Sequence, residues 1–270
     1  MKPIIVSILL VSLVSCKKDM SHLDVDTYGH AGEGIRNGRN KYPPNSLEGF
    51  KYIFDETTVE GVEIDVQMTL DSQLVVYHDF QLDDNTNGTG CIPAKNWSQI
   101  EDLKIYKSDY EIPTLKEALD LIFSYDRQVY LDIKYSNQCS SEAIDFEVFN
   151  RSLNTVLDNY TINQKENVLI NARSIELVNS ISDTIITKSF ETDNFDGITD
   201  LLLADDIDVL TTRLSSMTSS LKSELDQNEI EVCLYEVYVR GEVEDALTFN
   251  PKMIIADNIN CALKFTHGKE

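Results

Sequence analysis

Two segments of the chain end apolar runs in charged side chains two residues apart: Glu63 and Asp65 in Val62-Glu-Ile-Asp-Val66, and Asp132 and Lys134 in Leu131-Asp-Ile-Lys134. Side chains two apart on a β-strand share a face, so each segment sends its apolar residues one way and its charges the other. A strand covered on both faces reads as a continuous apolar run, and breaking it with carboxylates carries a desolvation cost that needs an offset. A bound cation is the simplest offset. All-oxygen ligands favour a hard ion, Mg²⁺ or Ca²⁺, over zinc. Glu63, Asp65 and Asp132 are the expected ligands, with Lys134 beside them; the competing reading is a set of solvated charges on edge strands.

His30 lies in Tyr28-Gly-His-Ala-Gly32, whose small residues let a substrate or the backbone approach the ring, and His78 ends Leu74-Val-Val-Tyr-His78-Asp79. Two histidines flanking a carboxylate-bound metal suit phosphodiester cleavage. One takes a proton from the nucleophile, the other gives one to the leaving oxygen, and the ion neutralises charge on the phosphoryl oxygens. The pattern does not say which histidine is the base. His22 and His267, near the termini, are read as incidental.

These residues need a frame, and the chain alternates strand-like with helix-like runs, as a parallel sheet with crossover helices does. Strands are expected at Thr27–His30, Val62–Val66, Val129–Ile133, Val168–Asn171, Ile185–Phe190, Val209–Thr212, Val232–Val237 and Met253–Ala256. Leu47, Phe50, Ile53 and Phe54 recur at helical spacing over Ser46–Glu56, as do Leu115, Ala118, Leu119 and Ile122, where Thr114 and Glu117 form a capping box after Pro113. Eight strand–helix units predict an α/β fold, a (β/α)₈ barrel with its active site at the C-terminal strand ends, where His30, Glu63, Asp65, Asp132 and Lys134 all fall. A long insertion after the second strand, roughly His78 to Ile112, is expected to be functional or ordered by its own packing, with Trp97 as its anchor.

The 270 residues and their 42% hydrophobic content fit one such barrel of about 250 residues. A net charge of −23 argues against nucleic-acid partners, whose affinity needs a basic groove. An anionic substrate therefore needs local positive charge, which a metal and Lys134 would provide. Lys2 followed by the apolar run Ile4 to Val14, too short for the roughly 20 residues of a membrane span, predicts a signal peptide over residues 1–15. Leu13-Val-Ser-Cys16 resembles a bacterial lipobox with Cys16 as the lipidated mature terminus; ordinary secretory cleavage near Cys16 is the alternative. Residues 16–26 then form a polar tether and 27–270 the barrel. Such a protein would sit in the cell envelope, anchored on the periplasmic face or the outer surface of a bacterial membrane. Outside the cytoplasm disulfides persist, and Cys91 and Cys139, both in loops after strands, are the expected pair; Cys233 is read as a small buried apolar residue.

The ordered set of motifs resembles the glycerophosphodiester phosphodiesterase family. His30-Ala-Gly resembles its opening His-Arg-Gly, Asn45-Ser-Leu-Glu-Gly-Phe50 its Pro-Glu-Asn-Thr helix start, and Glu63-Ile-Asp65 its Glu-x-Asp. Thr69-Leu-Asp71, His78-Asp79, Leu82-Asp83, Thr86-Asn-Gly-Thr-Gly90 and Ile112-Pro-Thr-Leu115 follow in family order, and Asp132-Ile-Lys134 stands where the family has Glu-x-Lys. Past Lys134 only the strand rhythm and Ala256-Asp257 match. The resemblance implies a metal-dependent barrel that hydrolyses glycerophosphodiesters to glycerol phosphate and an alcohol. It implies His30 and His78 as acid and base, Glu63, Asp65 and Asp132 as metal ligands, and Lys134 beside the phosphate. In the family's mechanism the substrate's own glycerol hydroxyl attacks phosphorus, and water opens the cyclic phosphate.

Three departures stand out. Ala31 replaces the phosphate-binding arginine, Pro44 stands in place of a glutamate, and Asp132 is shorter than the usual glutamate. Arg36 and Arg39, in the loop after the first strand, could supply the replacement guanidinium; solvated loop charges are the competing reading of both. The missing arginine is shared with the sphingomyelinase D group of spider-venom type, which makes cyclic phosphates from lysolipids and sphingomyelin. A surface lipoprotein that keeps the fold only to bind is the remaining alternative.

Overall fold

The computed structural model describes residues 24–36, 38, 40–105, 108–135 and 144–267. The expected signal peptide, Cys16, most of the tether, Arg39 and Cys139 lie outside the described residues.

Nine strands form one sheet: β1 (Asp26–His30), β2 (Gly61–Met68), β3 (Leu74–Val76), β4 (Gln128–Ile133), β5 (Val168–Ala172), β6 (Thr187–Glu191), β7 (Val209–Arg213), β8 (Glu231–Val237) and β9 (Met253–Ala256). Eight of them are parallel, in the order β1-β9-β8-β7-β6-β5-β4-β2, and the β1–β2 pairing closes the ring. This is the expected (β/α)₈ barrel. The short strand β3, unforeseen in the sequence, pairs antiparallel to β2 and starts the insertion.

Helices α1 (Leu47–Glu56) and α2 (Leu115–Ser124) carry the predicted caps. Ser46 Oγ accepts from the Gly49 N–H, and Thr114 and Glu117 close the capping box. Their apolar stripes join the shell of side chains between barrel and helices, where Phe50, Ile53, Leu115, Leu119 and Ile122 are buried. A separate cluster fills the barrel interior below the mouth, comprising Tyr28, Tyr130, Leu169, Val209, Cys233, Met253 and Ile255. That layer is a floor for whatever binds above it. Cys233 sits in it fully buried, as a small apolar residue would.

The insertion has its own core of Val75, Tyr77, Leu82, Ile92, Ile100, Ile105 and Ile112, against which Trp97 packs. Cys91 in this insertion is disulfide-bonded, whereas Cys233 and Cys261 are free. No helix among the described residues is long and apolar enough to cross a membrane.

Candidate active site

Register does most of the assembly. His30 lies opposite Glu63 in the β1–β2 pairing, Asp65 opposite Asp132 in β2–β4, and Asp132 opposite Asn171 in β4–β5. Residues in register on neighbouring parallel strands share a face, so all of them point into the barrel mouth. One ligand oxygen from each of Glu63, Asp65 and Asp132 lies within 4.8 Å of the others.

Such a cluster is electrostatically incomplete. Burial, and then the Asp65 charge, push the Glu63 carboxyl up to about 8. Burial also raises Asp132, against the pull of Lys134. At Asp65 the Lys134 ammonium, helped by His78 and by the Asn45 hydrogen bond, outweighs burial and holds the carboxyl down. Lys134 Nζ lies 2.8 Å from Asp65 Oδ1 and 2.5 Å from Asp132 Oδ2. One ammonium leaves three crowded carboxylates under-neutralised, and this donor set of hard oxygens fits a divalent cation.

Each carboxylate is held by a neighbour. The Ala31 N–H donates to Glu63 Oε2 at 2.9 Å, which Ala31 achieves with a left-handed backbone, φ 49°. Asn45 donates through Nδ2 to Asp65 Oδ2 at 2.6 Å and accepts the Asp65 N–H at its Oδ1, so the loop before α1 is stitched to β2. Asn171 Nδ2 donates to Asp132 Oδ1 at 3.1 Å and to Glu191 Oε2 at 3.2 Å.

The His30 ring is set by Asp257, immediately after β9, whose Oδ1 pairs with Nδ1 at 2.9 Å and leaves Nε2 turned toward Glu63 at 3.9 Å. Burial would lower this imidazole, but Asp257 and Glu63 prevail and raise it to about 9. The Asp257 Oδ1 also accepts the N–H groups of Ile35 and Arg36. The loop after β1 can lie this close because Gly34 has no side chain: a Cβ there would fall 2.2 Å from the Asp257 carbonyl oxygen. His78 stands on the loop after β3. Its Nδ1 pairs with Asp79 at 2.7 Å, which raises the ring's pKa. Gln67, next on the inward face of β2 after Glu63 and Asp65, donates to the Tyr77 and Asp79 carbonyls on either side of His78, at 2.6 and 2.9 Å.

A cavity of about 420 Å³ gathers His30, His78, the Glu63 and Asp132 carboxylates, and Lys134. Arg36 reaches the same cavity, held by Glu236 at 3.2 Å and Asp257 at 3.7 Å. Arg173, not singled out in the sequence, reaches it from beyond β5, paired with Glu191 and donating to the Tyr235 hydroxyl at 3.0 Å. The sequence signal for Asn171 is the one that exposed Asp132, a polar residue near the C-terminal end of an apolar strand; Arg173 and Glu191 are single charges at or just past a strand end.

The model of the "Glycerophosphoryl diester phosphodiesterase family" matches residues 36–241. A glycerophosphodiester phosphodiesterase of Caldanaerobacter subterraneus is 35% identical over 105 residues, 37% of this chain and 43% of that protein. The human glycerophosphodiester phosphodiesterase 1 is 28% identical over 117 residues, 40% of this chain and 35% of that protein. The chain thus spans less than half the length of these curated relatives. In backbone geometry it is similar to an Oleispira antarctica phosphodiesterase solved with the product sn-glycerol-3-phosphate (TM-score 0.77, 17% identity, 89% of this chain and 96% of that one). It is likewise similar to a glycerophosphodiester phosphodiesterase of Parabacteroides distasonis (TM-score 0.73, 15% identity, 91% and 98% covered). At these identities the two structures bear on the fold.

Proposed function

The chain belongs to the glycerophosphoryl diester phosphodiesterase family, and from that premise we propose that it hydrolyses glycerophosphodiesters to glycerol phosphate and an alcohol. The observation that carries the reading is the gathering of His30, His78, Glu63, Asp132 and Lys134 around one cavity at the C-terminal end of the barrel, with an Asp65 oxygen within 4.8 Å of the other two carboxylates. Glu63, Asp65 and Asp132 would hold a divalent ion, Mg²⁺ or Ca²⁺. When bound, that ion supplies neutralisation of charge on the phosphoryl oxygens.

The residues of the chain do the rest. Asp257 fixes His30 at Nδ1 and leaves Nε2 turned to the mouth; with the Glu63 and Asp65 charges taken up by the ion, the ring would give up the proton those carboxylates hold on it and take one from the substrate's glycerol hydroxyl as that oxygen bonds to phosphorus. His78, oriented by Asp79, gives its proton to the departing alkoxide as the phosphorus–oxygen bond breaks. A water then opens the cyclic phosphate with the two roles exchanged. Lys134, Arg36 and Arg173 flank the phosphate, and Tyr130 closes the floor beneath it.

The test is to incubate the protein with glycerophosphocholine, glycerophosphoethanolamine, glycerophosphoglycerol and lysolipids, with and without EDTA, and to follow products by phosphorus NMR. EDTA-sensitive release of glycerol phosphate is expected. A cyclic phosphate from lysolipids as the only end product would replace this reading with the sphingomyelinase D-like one, which Ala31 favours; no turnover at all would leave a binding protein. We extend the proposal to the envelope: Leu13-Val-Ser-Cys16 would anchor the barrel to a membrane through lipid on Cys16. Mass spectrometry of the extracted protein should show acyl groups there, and an unmodified mature terminus elsewhere refutes the anchor.

A further inference from the structure

Strand β8 breaks its own alternation near its C-terminal end. Cys233 packs in the barrel interior, Leu234 in the shell beneath the helices and Tyr235 against the interior again, so Glu236 would be expected to turn outward. It lines the mouth cavity instead, and Val237 takes the outward place. The register shows how. Leu234 pairs with Ile254 and Val237 with Ala256, three steps along β8 against two along β9. One extra residue on one strand is a β-bulge, and Glu236 carries it with a left-handed backbone, φ 64°, that a residue with a side chain rarely adopts.

The bulge thus sends two consecutive side chains into the mouth, and both meet guanidiniums there. The Tyr235 hydroxyl accepts from Arg173 Nη2 at 3.0 Å and from Arg213 Nε at 3.2 Å. Glu236 Oε1 lies 3.2 Å from Arg36 Nη2 and 3.6 Å from Arg213 Nε. Arg213, opposite Tyr235 in the β7–β8 register, joins the two tethers, while Arg36 and Arg173 line the cavity.

We propose that Tyr235 and Glu236 are positioning residues, turned inward by the bulge to hold Arg36 and Arg173, braced through Arg213, as one preorganised anion-binding rim. The inference rests on the phosphate lying in this cavity, as the hydrolase reading has it, and names what aims the guanidiniums at it.

Stability does not account for the arrangement. The side chains of Arg36, Arg173 and Arg213 are 46%, 50% and 43% exposed, and ion pairs that open to water contribute little to folding. A strained backbone that folding does not reward is the kind that functional sites retain. Here the return is preorganisation. A loose arginine loses rotamer freedom when it grips a phosphate, and one already held loses less. With Ala31 beside His30 in place of an arginine, the rim on β8 supplies the aimed guanidiniums.

The sign of one substitution separates positioning from charge. Removing a carboxylate from the mouth would, by Coulomb attraction alone, tighten the hold on an anion, whereas losing the tether loosens it. Glu236→Gly deletes the carboxylate and suits the left-handed backbone, and Tyr235→Phe removes only the hydroxyl. Binding of sn-glycerol-3-phosphate in the presence of Mg²⁺ is measured by calorimetry, with Mg²⁺ affinity and thermal melts in parallel. Each variant should weaken the anion about fivefold or more while Mg²⁺ affinity stays within about twofold of wild type, and Glu236→Gly should melt no lower. In a protein already carrying Arg36→Met and Arg173→Met, neither substitution should weaken binding further, because the guanidiniums they aim are gone. Unchanged or tighter binding by either variant, a loss that persists in that background, or no binding to wild type overturns the proposal. The expected losses in a protein whose wild type releases no glycerol phosphate from diesters leave the rim standing and sink the hydrolase reading.

Discussion

Asp65 and Asp132 face each other in register on β2 and β4, and the Lys134 ammonium bridges them at 2.8 and 2.5 Å. With Glu63 beside them, folding brings together three carboxylates that the unfolded chain keeps apart. A divalent ion bound only by the folded protein therefore adds stability by mass action, about 2.7 kcal/mol at a hundred times its Kd. Thermal melts with saturating Mg²⁺ should lie several degrees above melts in EDTA. Glu63→Ala, Asp65→Ala and Asp132→Ala should each abolish that difference, and identical wild-type melts in the two conditions refute the site.

His30 offers a pH handle. In metal-free protein its folded pKa of about 9 exceeds the ordinary 6.5, because Asp257 and Glu63 outweigh burial. The stabilisation from this raised group is therefore complete below about pH 6.5 and lost as pH climbs through about 9. In EDTA, the melting-temperature gap between wild type and His30→Asn should shrink between pH 6 and pH 10. Adding a divalent ion neutralises Glu63 and Asp65 and should move the His30 titration, followed by NMR, to lower pH. A midpoint near 6.5 in EDTA contradicts the geometry.

Much of this was legible because strand periodicity is local. Glu63, Asp65 and Asp132 announce themselves as charges at the ends of apolar runs, and the caps at Ser46 and Thr114 lie within a few residues of what they cap. Asp257 was legible as a motif but not as the partner of His30, since the contact spans 227 positions. Strand β3 hid because three residues are too few for a period to show. Arg173 and Glu191 hid because a single charge after a strand reads as loop until the closed barrel turns it inward.

Gln67 is expected to act through His78. Its amide holds both carbonyls that flank the histidine, so Gln67→Leu leaves one buried and one half-buried acceptor unmet. The cost should be about 2–4 kcal/mol of stability. The turnover number should fall, while divalent-ion affinity, measured by calorimetry, stays near wild type because Glu63, Asp65 and Asp132 are untouched. Unchanged kcat in a folded Gln67→Leu protein excludes the positioning role.

The missing arginine beside His30 gives the last prediction. Ala31 is 1% exposed and spends its N–H on Glu63, so the phosphate must find its guanidinium elsewhere. Arg36 and Arg173 reach the cavity from the loops after β1 and β5, each tethered to carboxylates that keep it at the mouth, through Asp257 and Glu236 for one and Glu191 for the other. A charged hydrogen bond contributes roughly 1.5–3 kcal/mol, so Arg36→Met and Arg173→Met should each lower kcat/KM for glycerophosphodiesters by about tenfold or more. Because the two act on one phosphate, the double variant should fall short of the product of the single effects, as interacting sites do. Ala31→Arg in the double variant should recover part of the loss. Wild-type kcat/KM in both single variants would mean that Lys134 and the bound ion meet the phosphate charge without a guanidinium.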